Sequence, residues 1–317
     1  MACCDTRPDL AEAWRRKHSC ERAYTDYLTM VREHELDGVI LATWPNLHRE
    51  QVLGCLGAGV RAILCEKALA LSGAEALELW IAANEAQALL VEGYMYRHHP
   101  AIRKIDELVA AGRVGELDSI SAAFSLFDAE QSSPDDPTRD WRQRKECGGG
   151  VPYDLACYCV DACNRLAGAA PRRVSAVART SVRYGTTAGL YGLIEYENGV
   201  VGIVASSKTS DFDHELKVSG TRGHLALPVA WRIDHPTELV LRRSVGWGVF
   251  ETTEFPVPVV DAYRLQLQAF AAAVRGEVPP LPSLAESVLG AYTTDTLLTS
   301  AAEHAALPVH VPEAVAA

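Results

Sequence analysis

The chain has 317 residues, of which 48% are hydrophobic and 22% are charged, a composition typical of globular proteins. This length favours two domains over one. The 30 Lys and Arg residues against 41 Asp and Glu give a formal net charge of −11 at pH 7, which repels a phosphate backbone, so we expect no nucleic acid partner. We find neither a membrane-spanning segment nor a signal peptide, and therefore expect a cytoplasmic protein without a membrane partner.

The nine cysteines do not form the paired motifs of a zinc site or the dense pattern of a disulfide scaffold. Cys157, Cys159 and Cys163 are close in sequence, but no second motif accompanies them. We therefore expect no bound metal, and we expect most of the cysteines to be reduced residues of the core.

Strands and helices alternate in the first third of the chain. Apolar periodicity predicts strands over residues 2–4, 38–43, 60–65 and 89–94, and helices over residues 9–18, 46–56 and 72–88. Ser72 and Glu75 have the spacing of a capping box at the start of the third helix. This alternation predicts an α/β fold with a doubly wound, Rossmann-like parallel sheet over residues 1–120.

Longer strands follow after about residue 120. Asn198 and Gly199 predict a hairpin turn between strands over residues 190–197 and 200–206. Helices are expected over residues 154–166 and 263–275. Residues 121–317 therefore predict an α+β domain with an open, largely antiparallel sheet, and the loop over residues 128–144 is expected to shape its pocket.

Lys67 directly follows a buried apolar strand, at the edge where doubly wound sheets bind ligands. Burial there disfavours the charged form, which would let the lysine act as an acid or base near neutral pH. The alternative is a lysine that pairs with Glu66 or extends to solvent.

A second candidate group follows three glycines. Asp154 and Tyr158 are four residues apart and share one helical face, where a carboxylate and a phenol can bind an alcohol and relay its proton. The alternative is an acidic residue favoured at a helix start and an ordinary aromatic residue of the core.

Four motifs in order resemble the Gfo/Idh/MocA oxidoreductases, which include glucose-fructose oxidoreductase and inositol dehydrogenase. They comprise residues 42–48 (ATWPNLH), 65–67 (CEK), 96–100 (YRHHP) and 148–158 (GGGVPYDLACY). The resemblance implies NAD(P)-dependent hydride transfer between a carbinol and a ketone of a sugar, cyclitol or related polyol in carbohydrate metabolism. It also implies a homodimer or homotetramer.

The resemblance assigns catalytic roles to Lys67, Asp154 and Tyr158. Lys67 matches the lysine of a Glu-Lys-Pro motif that contacts the substrate oxygen and the nicotinamide ribose, and Asp154 matches the substrate-binding carboxylate. Tyr158 stands where inositol dehydrogenases have histidine and where dihydrodiol dehydrogenases have tyrosine, followed as here by Cys159. Arg97, His99, Trp141 and Arg142 are the implied substrate contacts.

The implied cofactor-binding residues are Asp5, Arg7, Thr43, Pro45, Asn46, His48, Glu66 and Lys67. Asp5 predicts NAD, because a carboxylate hydrogen-bonds the ribose hydroxyls and repels a 2′-phosphate. Arg7 leaves NADP open.

The sequence departs from the family pattern in three places. Ala68 replaces the expected proline and Ala156 replaces a glycine. The first strand and its Gly-rich phosphate loop, roughly 25 residues, have no counterpart ahead of residue 2. Since the missing strand would be central and its absence would expose two hydrogen-bonding edges, we expect the reading frame to begin upstream of Met1. A relative that binds a carbohydrate or a partner without redox chemistry is the alternative function.

Overall fold

A computed structural model of the chain describes residues 1–127, 140–211 and 213–316. Most of the predicted pocket loop, residues 128–139, lies outside the described residues, whereas residues 140–144 are described. Within the described residues, no helix combines the length and the apolar character that crossing a membrane requires.

The first half of the chain alternates strands and helices, as predicted. The strands are β1 (Ala2–Cys4), β2 (Arg22–Tyr24), β3 (Val39–Leu41), β4 (Ala62–Glu66) and β5 (Leu89–Gly93). The helices are α1 (Pro8–His18), α2 (Tyr27–Glu33), α3 (Pro45–Gly57), α4 (Gly73–Glu85) and α5 (Pro100–Ala110). Ser72 caps α4 by accepting from the Glu75 backbone amide, but the Glu75 carboxylate accepts from the Leu71 amide instead of completing the capping box.

The parallel strands form two separate sheets, one with the order β1-β2 and the other with the order β3-β4-β5. All pairs within them are parallel. β1 and β3 are not hydrogen-bonded to each other, so the sheet is interrupted at the position where the family pattern has its first strand. The Rossmann-like architecture predicted from the sequence is confirmed.

A nine-stranded sheet dominates the second half, with the order β13-β12-β11-β10-β6-β9-β8-β7-β14. Its strands are β6 (Leu117–Ser125), β7 (Pro171–Thr180), β8 (Thr187–Tyr196), β9 (Val201–Ser207), β10 (Leu216–Gly220), β11 (Gly223–Leu227), β12 (Thr237–Gly246), β13 (Val249–Val257) and β14 (Leu307–Pro308). Among the strands described for this sheet, only β6 and β9 pair in parallel, which confirms the largely antiparallel sheet. β8 and β9 form the hairpin predicted at Asn198-Gly199, where Gly199 has a φ of 86°.

The second half of the chain contains the helices α6 (Cys157–Ala167), α7 (Ala262–Val274), α8 (Leu284–Glu303) and the short α9 (Glu313–Ala316). α6 and α8 pack on the nine-stranded sheet, whereas α7 packs against β5 and the turn after it, and α9 packs against α8. α6 packs against β6 and β9, and α8 packs against β7 and against α4 of the first half. The sequence reasoning predicted α6 and α7 but missed α8, the helix that joins the two halves.

Two buried apolar clusters form the core. One occupies the nine-stranded sheet and α6, and the other lies between α3, α4 and the β3-β4-β5 sheet. Val288 of α8 belongs to the second cluster, and β6 begins at Leu117. The expected boundary after residue 120 falls inside β6, and α8 contributes a residue to the core of the first half. All nine cysteines are free thiols and seven are buried.

Candidate active site

Lys67 and Asp154, which belong to different halves of the chain, form a nearly buried ion pair. Lys67 extends from the end of β4, and Asp154 lies in a π-helical turn, Pro152–Ala156, that leads into α6. The Lys67 Nζ lies 2.7 Å from the backbone oxygen of Asp154 and 3.3 Å from its Oδ1. The two side chains are 12% and 8% exposed. Alanine at position 68 in place of the expected proline therefore does not prevent Lys67 from reaching the second half.

Two more cations contact Asp154. The Arg142 Nε lies 3.2 Å from Oδ1 and 3.1 Å from Oδ2, and the Lys208 Nζ lies 3.1 Å from Oδ2. Burial opposes the charge of this carboxylate, but the neighbouring charges of Lys67, Lys208 and Arg142 outweigh it and hold the pKa of Asp154 well below its usual range. Asp154 is therefore an ionised group held by three cations.

The same pairing corrects the expectation for Lys67. Burial alone would lower the pKa of its amine, which was the basis for predicting an acid or base near neutral pH. Burial is the largest single effect, but the charge and hydrogen bond of Asp154 together with the nearby Cys157 outweigh it, and the pKa of Lys67 lies above its ordinary value. Lys67 is a persistent cation in this arrangement.

Tyr158 lies beside Lys67, with its ring rather than its hydroxyl facing the amine. The Lys67 Nζ is 5.1 Å from the ring centroid, within the range of a cation–π interaction. The hydroxyl donates to the Met95 sulfur at 3.5 Å, which is a weak acceptor. Burial raises the pKa of the Tyr158 phenol well above its ordinary value, so the phenol is neutral before any reaction.

An aromatic cluster holds the Tyr158 ring. The rings of Tyr94 and Phe124 each lie 5.4 Å from it, that of Tyr96 lies 5.7 Å away and that of Trp231 lies 6.1 Å away. The angles between these rings and Tyr158 are tilted or close to perpendicular, as aromatic pairs prefer. This packing fixes the phenol rigidly next to the ion pair.

Trp141 and Arg142 are part of the same region, in agreement with their expected place. The Arg142 guanidinium lies 5.0 Å from the Trp141 ring centroid. Asp140 accepts from the Arg142 side chain at 3.3 Å. The Arg142 side chain is 42% exposed, so it has surface left for a ligand.

Arg97 does not lie open to a substrate, which corrects the expected contact. Two guanidinium nitrogens donate to Asp161, at 2.8 and 2.5 Å, and the third donates to Glu286 at 2.7 Å. The Arg97 side chain is only 2% exposed. All its nitrogens are thus used in a buried network that links the segment after β5 to α6 and α8.

His99 was expected to contact the substrate, but both of its ring nitrogens contact backbone groups instead. Its Nδ1 accepts from the Ala101 amide at 3.1 Å, which caps the start of α5, and its Nε2 lies 3.2 Å from the Pro258 oxygen. The ring is buried, and burial lowers the pKa of His99. Neither nitrogen is left for a substrate.

The expected cofactor residues after β3 divide into two groups. Thr43 and Asn46 are exposed at the strand end and at the first turn of α3, and the buried Pro45 starts that helix. His48 is fully buried, with Nδ1 2.8 Å from the Ala68 oxygen and Nε2 3.1 Å from the Thr43 oxygen. His48 therefore links the backbone segment after β3 to the segment after β4. This corrects its expected role as a direct cofactor contact.

Asp5 and Arg7 follow β1 and lie at the start of α1. The Asp5 carboxylate accepts from the Arg7 amide at 2.8 Å, and the Arg7 guanidinium pairs with Asp9 at 2.7 Å on the surface. Both charged groups are accessible at the carboxyl end of a parallel strand, where a dinucleotide ribose binds in this fold.

Glu66 lies at the end of β4, half-buried beside Lys67, and burial raises its pKa. The strand ends thus offer groups for the ribose and nicotinamide portions of a dinucleotide. We find no strand-GxGxxG-helix cradle for its phosphates in the described residues.

The sequence reasoning missed two residues of this region. Lys208 directly follows β9, so the rule that selected Lys67 also applied to it. Glu92 is a buried carboxylate within β5 whose Oε1 accepts from the Leu69 amide at 2.8 Å, two residues beyond Lys67. Its sequence signal was a charged residue inside an apolar strand.

Two sequence profiles match the chain. The oxidoreductase family with an NAD-binding Rossmann fold matches residues 1–94, and the GFO/IDH/MocA C-terminal domain matches residues 102–226. Trans-1,2-dihydrobenzene-1,2-diol dehydrogenase of Mus musculus is 32% identical over 251 residues, which are 79% of this chain and 69% of that protein. D-xylose 1-dehydrogenase (NADP(+)) 2 of Haloferax volcanii is 30% identical over 285 residues, which are 90% of this chain and 84% of that protein.

Solved structures show the same fold. A levoglucosan dehydrogenase in complex with NADH has a TM-score of 0.85 and 22% identity, and the match covers 98% of this chain and 90% of the other. A 3-ketoreductase from Actinomadura kijaniata in complex with NADP and TDP-benzene has a TM-score of 0.82 and 24% identity, covering 95% and 89%. The motifs, the fold and the profile matches lead to one conclusion: the chain belongs to the Gfo/Idh/MocA family of oxidoreductases with an NAD-binding Rossmann fold.

Proposed function

We propose that this oxidoreductase transfers a hydride between a nicotinamide cofactor and the carbinol or ketone carbon of a sugar, cyclitol or related polyol. The observation that carries the proposal is the convergence of Lys67 from one half of the chain with Asp154 and Tyr158 from the other. Oxidation of a carbinol removes a hydride from carbon and a proton from oxygen, and reduction of a ketone adds both. The cofactor supplies the hydride chemistry.

Lys67 is the group that we assign to the reacting oxygen. Its amine is a cation with three donors, of which Asp154 uses two. A buried cation stabilises the negative charge that develops on a carbonyl oxygen during reduction. The raised pKa keeps this charge in place throughout the neutral range.

Tyr158 is the proton donor in this proposal. Its neutral phenol needs to exchange only a weak sulfur contact for the substrate oxygen. The Lys67 ammonium lies over the Tyr158 ring, so the phenolate that remains after the proton leaves has a cation beside its ring. Reduction of a ketone requires a cation near its oxygen and a proton to add to it. The charged amine of Lys67 and the protonated phenol of Tyr158 are in these states.

The substrate side of the site combines charge with an aromatic surface. Asp154 binds a hydroxyl group, and Arg142, stacked on Trp141, offers further donors. The two relatives described above have names that point to a diol and a sugar, namely dihydrobenzenediol and D-xylose. A small molecule with adjacent hydroxyl groups is consistent both with this charged and aromatic lining and with the names of the relatives.

NAD is the proposed cofactor, with NADP as the second possibility. Asp5 supports NAD through its carboxylate at the end of β1, and the accessible Arg7 guanidinium supports NADP. Relatives of the fold have been solved with NADH and with NADP.

Fluorescence titration with NADH and NADPH, followed by turnover on a panel of sugars, cyclitols and dihydrodiols, tests the function. We expect cofactor binding and turnover of at least one polyol or its ketone. A folded chain that binds neither dinucleotide would contradict the proposal and favour a carbohydrate- or partner-binding protein without redox chemistry.

The outer face of the nine-stranded sheet supports a homodimer or homotetramer. Val177, Tyr191, Leu193 and Ile203 stand on neighbouring strands of this face and are 36–63% exposed. Exposed apolar patches of this kind mark association surfaces. Light scattering is expected to give an oligomer, and a monomer at micromolar concentration would contradict this.

The nine free thiols support the proposed cytoplasmic location.

A further inference from the structure

Lys208 extends from the end of β9 toward the carboxylate of Asp154. Its Nζ lies 3.1 Å from Oδ2, and its side chain is 11% exposed. Lys208 and Asp154 both belong to the second half of the chain, whereas the contact of Lys67 with Asp154 joins the two halves. The Lys208 contact therefore does not depend on how Lys67 is placed.

The oxygens of Asp154 are divided among the three cations. Oδ1 contacts Lys67 and Arg142, and Oδ2 contacts Arg142 and Lys208. In the proposed reaction the Lys67 amine binds the substrate oxygen with the donor that Asp154 does not use, so its positive charge is shared between that oxygen and the carboxylate. A buried carboxylate needs its charge to be compensated, so the cations on its other oxygen become more important as Lys67 is shared.

Lys208 is better placed for this than Arg142. The Arg142 side chain is 42% exposed and shares its guanidinium with Asp140. Lys208 approaches the oxygen opposite to the one that Lys67 contacts, so it holds Oδ2 while Lys67 shares its charge between Oδ1 and the substrate oxygen. Burial also strengthens its Coulomb attraction to the carboxylate.

We propose that Lys208 is a positioning residue, which keeps Asp154 ionised and oriented when Lys67 shares its charge with the substrate oxygen. This inference rests on the proposed function of the site. The groups that face Asp154 are Lys67, Arg142 and Lys208, and no other ionisable group of the described residues lies within ion-pair distance of it.

The test compares Lys208→Met with the wild-type chain in kcat/KM across pH 5–9. We expect at least a tenfold loss of kcat/KM at pH 7, and we expect the decline of activity on the acid side to begin at a higher pH than in the wild type. Lys208→Arg, which keeps a cation, is expected to restore most of the activity and the wild-type acid limb. If Lys208→Met does not fold, Lys208→Gln removes the charge while keeping a hydrogen-bond donor. Lys217→Met, which removes a lysine from β10, serves as the control.

A double-mutant cycle shows whether Lys208 acts through Asp154. In an Asp154→Asn background, Lys208→Met should reduce kcat/KM by less than twofold, because the charge that it holds is gone. The same loss as in the wild-type background would overturn the proposal, since Lys208 would then contact the substrate itself.

Two further outcomes are distinguishable. A wild-type chain that binds dinucleotide and turns over a polyol, with a Lys208→Met variant of equal kcat/KM and pH profile, overturns this inference and leaves the proposed function intact. A wild-type chain that neither binds dinucleotide nor turns over any member of the panel overturns both.

Discussion

Glu92 should make the stability of this protein decrease with rising pH. The carboxylate lies within β5, where it is 4% exposed and accepts from the Leu69 amide. Burial raises its pKa from an ordinary value of 4.5 to about 7, despite the hydrogen bond from Leu69. An acid with a raised pKa contributes fully to stability below its unfolded pKa, and this contribution is lost as the pH rises through the folded pKa.

The size of the effect follows from the two pKa values. A change from 4.5 to about 7 corresponds to about 3 kcal/mol of destabilisation once Glu92 is ionised in the fold. Glu92→Gln keeps an oxygen that accepts from Leu69 and removes the titration. The variant should therefore match the wild type near pH 4 and exceed its unfolding free energy by about 3 kcal/mol at pH 9.

Urea unfolding followed by circular dichroism at pH 4, 5, 6, 7, 8 and 9 measures this difference. Glu303→Gln, at an exposed position near the end of α8, is the control for removing a carboxylate of the same type. A difference between Glu92→Gln and wild type that stays constant over this pH range would refute the reasoning, because burial would then not govern the ionisation of Glu92.

Four further predictions concern the site and its support. Lys67→Ala should reduce kcat ~10²-fold or more, as expected for a lost group at the reacting oxygen, whereas Lys104→Ala on the surface of α5 should leave turnover unchanged; equal rates would exclude the role of Lys67. Tyr158→Phe should cause a similar loss with unchanged circular dichroism, because the ring that packs in the aromatic cluster remains, and full activity would show that the proton comes from elsewhere. Arg97→Met should lower the unfolding free energy by about 3–5 kcal/mol, since it leaves the Asp161 carboxylate buried without its cation, and a change below 1 kcal/mol in urea unfolding would argue against this. Asp5→Ser should shift the ratio of kcat/KM for NADH and NADPH toward NADPH by about tenfold or more, a factor that corresponds to 1.4 kcal/mol, and an unchanged ratio would remove Asp5 from cofactor selection.

Local sequence signals were sufficient for much of the fold and for the centre of the site. Hydrophobic periodicity placed β4 and α3 within two residues of their observed bounds, and Asn198-Gly199 identified the β8-β9 hairpin. Lys67 was found because a charged residue after a buried parallel strand lies at the ligand-binding edge of such a sheet. These signals work because they depend on backbone geometry within a few residues.

Some local signals were present but were not used. Ser283 and Glu286 form a complete capping box at the start of α8, and Lys208 follows β9 as Lys67 follows β4. Both features could have been found from the sequence by applying rules that had already located other elements.

Only the tertiary structure decided which charges meet. The sequence alone indicated a substrate contact for Arg97. In the fold, Arg97 pairs with Glu286, which lies 189 positions further along the chain, and is part of a buried network. Likewise, burial by itself predicts a lowered pKa for Lys67, and the charge and hydrogen bond of Asp154 together with the nearby Cys157 reverse the direction. Periodicity within a segment reports which face of it is buried, but the sign of an electrostatic effect depends on partners that the fold brings together from distant segments.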